Sequence, residues 1–115
     1  MPNPVVHFEI RARDVDRQGA FYSQLFGWQV GEPDEPTQYR MLATQPEAIS
    51  GGMVPAASGT PSLTFYVQVD NLSGTLEHAQ SLGAVTLVQP TPLPNGGHFA
   101  VLRDPEGNEL GVLGS

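Results

Sequence analysis

The chain has 115 residues, 39% of them hydrophobic and 15% charged, which suits one globular domain and excludes a disordered chain. Twelve acidic residues against five basic ones leave a net charge of −7, a balance that repels nucleic-acid backbones and anionic lipid, so neither a nucleic acid nor a membrane is expected as a partner. The lack of cysteine removes disulfides, thiolate metal sites and a cysteine nucleophile, and with no signal-peptide pattern or apolar run of spanning length the expected location is the cytoplasm.

Residues 5–11, VVHFEIR, alternate: Val6, Phe8 and Ile10 take one face of a strand, and His7, Glu9 and Arg11 the other. Asp14 or Asp16 can cap the helix that follows, in which Phe21, Leu25 and Phe26 are expected to make the inward stripe, and Gly27 is a natural stop. Short strands are predicted at 28–30, 38–43 and the Gly-rich 50–54, and PAASGTP (55–61) reads as a linker. A second strand of alternating character, LTFYVQV (63–69), puts Leu63, Phe65, Val67 and Val69 opposite Thr64, Tyr66 and Gln68. A helix over about 71–82 points Leu72, Leu76, Ala79 and Leu82 inward, and strands follow at 84–88, 98–103 and 109–113, the last two joined by the turn DPEGN. The pair Asp14 and Gly27 recurs as Asp70 and Gly83, 56 positions further on, so the chain holds two copies of one β-α-β-β-β unit, about 4–54 and 62–115. The fold class is therefore α+β.

This unit order resembles the vicinal oxygen chelate superfamily, which contains glyoxalase I, bleomycin-resistance proteins, fosfomycin-resistance enzymes and extradiol dioxygenases. The resemblance is carried by HFEIRARDVDRQGAFYSQLFGW (7–28), VQVDNLSGTLEHAQSLGA (67–84) and DPEGNELGVL (104–113). It implies a curled sheet in each unit, the two facing one another across a cleft, and for a chain this short a homodimer. In metal-dependent members four inward side chains hold a divalent ion, one from the first and one from the last strand of each unit, and the ion acts as a Lewis acid. His7 falls on the first of these positions, but Thr64 stands at the second, no acid occurs over Ser50–Met53, and Gly111 stands where a Glu would follow the turn. One imidazole does not hold a catalytic ion, so no cofactor is expected. A shifted set of His7, Glu9 and Glu109 is the alternative metal site.

Taking polar residues as inward adds Arg40, Thr64, Tyr66, Gln68 and Glu109 to His7 and Glu9 as ligand-binding candidates. Trp28 can line a pocket or pack in the core. The segment QPTPLPNGG (89–97) can close over a ligand or serve as a stiff connection. His98 opens a strand, and His78 lies on the outer face of its helix. The expected function is metal-independent binding of a small molecule, with a cationic ligand compatible with the acidic balance. The alternative is a lyase, isomerase or dioxygenase of this superfamily, working through an atypical metal site or through His7 as general base with Glu9 orienting it.

Overall fold

The computed structural model describes residues 2–94 and 96–115. The first module is β1 (Val5–Ala12), α1 (Val15–Phe26), β2 (Gln29–Val30), β3 (Arg40–Ala43) and β4 (Ser50–Pro55). The second is β5 (Ser62–Gln68), α2 (Leu72–Ser81), β6 (Val85–Pro92), β7 (His98–Arg103) and β8 (Glu109–Gly114). The fold is thus α+β, and each module has the expected β-α-β-β-β order. Strands run β2-β3-β4-β1 in the first module and β5-β8-β7-β6 in the second. β1 with β4 and β5 with β8 are parallel, and the remaining neighbours within each module are antiparallel. Among the described residues no helix is long and apolar enough to cross a membrane.

By compactness the chain divides into residues 7–64 and residues 65–115, the latter including the N-terminal residues up to Val6. In that second unit the Pro4 carbonyl accepts a hydrogen bond from the Gln68 amide at 3.0 Å, which is why the N-terminus belongs with it.

Both helices are capped as their sequences require. The Asp14 carboxylate accepts from the Arg17 amide at 3.1 Å, and Gly27 ends α1 in the left-handed region at φ 75°. In the second copy Asn71 is the cap, one residue beyond Asp70, and its side-chain oxygen accepts from the Gly74 amide at 3.0 Å.

The core of residues 7–64 is Ile10, Leu42 and Met53, with Phe8, Val15, Tyr22, Trp28 and Val30 packed against it. This corrects the expected stripe of α1, because Phe21, Leu25 and Phe26 are 52%, 58% and 57% exposed. The inward line is Val15, Gly19 and Tyr22, at helical spacing. Gly19 is buried against Val30, where an added Cβ would stand 3.4 Å from Cγ1. Close approach at the small residue turns the larger apolar side chains outward.

The core of the second unit is Val69, Leu72, Leu76, Ala100, Leu102 and Val112, joined by Val67, Ala79 and Leu110. Leu82 departs from expectation: it is the C-cap of α2 and exposed, since the helical spiral has already ended there. Leu63 and Phe65 are exposed too, whereas Thr64 and Tyr66 on the alternate face of β5 are buried. β6 continues through Pro90 and Pro92 into the segment read as a loop. An end strand loses no ladder bond to proline on its open side, and register shifts between Thr86 and Val88 and between Val88 and Thr91 absorb the irregularity. Asn95 of the same segment lies outside the described residues. The turn after β7 is tied by Asp104, whose carboxylate accepts from the Asn108 side chain at 3.0 Å and from the Asn108 and Glu106 amides at 2.9 Å. The Asn108 side-chain bond, then its amide bond, hold this carboxyl below its ordinary value.

Candidate functional site

Strand register assigns the faces of residues 7–64. Ile10, Met53 and Arg40 stand opposite one another across β1, β4 and β3, as do Phe8, Gly51 and Leu42. This is the face that α1 covers. The other face carries His7, Glu9 and Arg11, with Gly52 and then Met41 opposite Glu9.

Tyr39, just before β3, completes that second face. Its ring lies directly over Gly52: a Cβ on Gly52 would collide with the hydroxyl end of the ring. The hydroxyl stands 2.7 Å from Nε2 of His7, with the two rings 19° from parallel. The approach to Tyr39 is strained. Gln38 has φ 63°, the single positive value outside glycine among the described residues. The conformation is fixed by its neighbours. The Asp34 amide donates to the Tyr39 carbonyl at 2.9 Å, and the Gln38 amide to the Asp34 carbonyl at 2.6 Å. The Thr37 hydroxyl donates to the Asp34 carboxylate at 2.8 Å and accepts from the Tyr39 amide at 3.2 Å.

Burial pushes the His7 imidazole below its ordinary value of 6.5, and the nearby Glu9 charge opposes that shift without reversing it. His7 is therefore neutral at pH 7. With the proton on Nδ1, Nε2 accepts from the Tyr39 hydroxyl; in the other tautomer Nε2–H donates to the phenol oxygen. The dyad rests as phenol and imidazole. A phenol is ordinarily a far weaker acid than an imidazolium, and burial of His7 widens that gap, so the proton stays on the oxygen. Glu9 is only 7% exposed and accepts from Arg11 Nε at 2.9 Å. The pair presents a fixed carboxylate and guanidinium beside the dyad.

Arg40 does not share this face. Its guanidinium donates to the Asp16 carboxylate at 2.8 Å on the α1 side. Trp28 also lies on the α1 side, half-buried, stacked on Tyr22 at 5.5 Å and tilted against Phe8 and Phe26. It packs with the core. In the second unit, Tyr66, Gln68, Gly111 and Glu109 share one face, with Tyr66 opposite Gly111 and Glu109 opposite Arg103. The Tyr66 ring lies over Gly111 just as Tyr39 lies over Gly52, and leaves no room there for a Cβ. Thr64 precedes Tyr66 on the same face of β5 and is buried.

The residues present do not fit the four-ligand metal site that the resemblance implies. Gly52 and Gly111 occupy equivalent places in the two modules, and both lie beneath tyrosine rings; Thr64 offers only a neutral hydroxyl. Among the described residues no group of three His, Asp or Glu side chains could hold a metal ion.

Reading the sequence missed Tyr39. The available signal was the Gly51–Gly52 pair inside a strand, a mark of close side-chain approach, together with the alternation that sets Tyr39 opposite in facing to Arg40.

Comparison with known proteins places these features in a family. A glyoxalase-like domain family matches residues 7–113. A glyoxylase-like domain-containing protein of Didymella fabae is 33% identical over 108 residues, covering 87% of this chain and 84% of that one. The Mycobacterium tuberculosis protein CFP32, which carries a provisional glyoxylase name, is 34% identical over 76 residues, 65% of this chain. The chain spans 29% of the length of that relative. Among solved structures, methylmalonyl-CoA epimerase of M. tuberculosis superposes with a TM-score of 0.73 at 12% identity, over 96% of this chain and 86% of that one. A glyoxalase/bleomycin resistance protein/dioxygenase superfamily member from Vibrio splendidus 12B01 gives a TM-score of 0.71 at 11% identity, over 99% and 100% of the two chains. Likeness at these identities shows the fold.

Proposed function

This chain belongs to the glyoxalase-like family of the vicinal oxygen chelate superfamily, and on that premise we propose that it binds a small molecule without a metal ion, on the face that carries His7, Glu9 and Tyr39. The observation that carries this reading is the placement of Tyr39 over Gly52, with its hydroxyl 2.7 Å from His7. Of the ligand positions of metal-dependent members this chain keeps an imidazole at the first, His7, and Tyr39 overlies Gly52 beside it. His7 and Tyr39 form a hydrogen-bonded pair that a polar group of a ligand can meet, beside the half-buried Glu9–Arg11 pair. The net charge of −7 supports a ligand with positive rather than negative charge. The exposed Val85, Leu87 and Val88 along β6 support the homodimer that the resemblance implies, which sedimentation of the wild type against Leu87→Arg would test.

The test begins with metal. Protein without a polyhistidine tag is offered Ni, Zn, Mn and Fe(II) separately, dialysed, and titrated by calorimetry. The expected result is no tight, stoichiometric binding. Tight binding that disappears in His7→Ala would overturn the reading. A small-molecule screen by thermal shift follows, in which hits should weaken in both Tyr39→Phe and His7→Ala.

The same dyad supports a second reading, acid–base catalysis, in keeping with the epimerase among the similar structures. His7 would then take the proton, Tyr39 would polarise a substrate oxygen, and His7→Ala would lower turnover by ~10²–10⁴.

A further inference from the structure

A hollow of about 830 Å³ opens on the α1 side of residues 7–64, on the face opposite His7. Phe8, Phe26, Trp28 and Ile49 give it an apolar lining, and Thr44 and Gln45 supply the polar part of its rim. Its aromatic lining is already ordered, since Trp28 is tilted against the rings of Phe8 at 5.5 Å and Phe26 at 5.2 Å and stacked on Tyr22. The rim is fixed by its own bonds: the Thr44 hydroxyl donates to the Ile49 carbonyl at 2.7 Å, and the Ala48 amide to the Gln45 carbonyl at 3.0 Å. Among the described residues no charged side chain lines the hollow, on a chain whose net charge is −7. Its outer side is open to solvent.

We infer that this hollow is a second binding site, separate from the His7 face, for an uncharged planar aromatic molecule. Charge and shape select the class. A charged group would meet no counter-charge in the lining, whereas a flat ring can pack against Phe26 and the exposed edge of the aromatic cluster and meet the polar rim at its own edge. Phe26 and Ile49 are 57% and 45% exposed, so they are free to contact such a ring.

Trp28 is the chain's single tryptophan and reports directly on the hollow. The probe is N-phenyl-1-naphthylamine, an uncharged aromatic fluorophore, titrated into the intact chain. Saturable energy transfer from Trp28 at one probe per chain is expected. Ile49→Glu and Ala48→Glu, both at exposed lining positions, each put a carboxylate at the hollow and should weaken binding about tenfold or more while thermal unfolding stays near the wild type. Binding that both variants leave unchanged would overturn the assignment. So would equal affinity for the anionic probe 1-anilinonaphthalene-8-sulfonate. Sedimentation in the same samples covers the remaining outcome: a dimer that dissociates in Ile49→Glu, with no probe binding to the wild type, would mean that a second copy of the chain fills the hollow. None of these outcomes touches the metal and ligand tests of the His7 face, so the two readings fail independently.

Discussion

The Tyr39 hydroxyl reaches Nε2 of His7 at 2.7 Å by passing over Gly52, the residue that faces Glu9 across β1 and β4. Any side chain at position 52 must displace the phenol. Gly52→Ala should therefore destabilise the protein by about 1–3 kcal/mol, the usual range for overpacking. Removing the ring first should abolish that cost. Urea unfolding of the two single variants and Tyr39→Ala/Gly52→Ala should give a coupling of about 1 kcal/mol or more. Additive effects would mean that the ring does not rest on Gly52.

His7 should make stability depend on pH in a defined sense. Its folded value is depressed, so below 6.5 the unfolded chain binds the proton more readily than the folded one. The contribution of His7 is fully present above 6.5 and falls away as the pH drops from there through the depressed folded value. Urea midpoints should decline over that window, and the decline should be shallower in His7→Gln. An unchanged slope in the variant would show that other groups set the acid limb.

Gln38 stores strain beside the dyad. A residue other than glycine in the left-handed region costs about 1–2 kcal/mol, and glycine loses about 0.5–1 kcal/mol of that advantage through its unfolded-state freedom. Gln38→Gly should thus stabilise by up to about 1 kcal/mol, and Gln38→Val should destabilise. If both lower the unfolding midpoint equally, the Gln38 side-chain bond to the Glu35 carbonyl matters more than the backbone.

His98 opens β7 with Nδ1 buried and without a hydrogen-bond partner among the described residues. An unsatisfied buried polar atom costs about 1–3 kcal/mol. His98→Phe should therefore be neutral or stabilising in thermal unfolding, whereas a clear loss would reveal a partner for Nδ1 in solution.

The modules were legible because their signals are local. Asp14, Gly27 and the period-two pattern of 5–11 follow from backbone capping and pleat geometry, which act within a few residues. The errors came where tertiary packing chose between faces. The apolar content of α1 suggested Phe21 and Leu25 inward, but the inward line passes through Gly19, whose importance is the absence of a side chain. Arg40 was assigned inward because it is polar. The structure places it on the covered side, where Asp16 at the start of α1 supplies a counter-charge. The same rule passes over Tyr39, because in the predicted strand 38–43 it alternates with Arg40 and so falls on the face taken as outward.

The two glycine–tyrosine overlaps also bear on how this chain could change. A side chain at position 52 or 111 meets a ring already seated there, so any substitution at either glycine has to be accommodated by movement of Tyr39 or Tyr66. At position 52 that movement falls on the phenol that meets His7, whereas at position 111 it falls on a ring of the neighbouring strand. A change at one glycine leaves the other overlap in place.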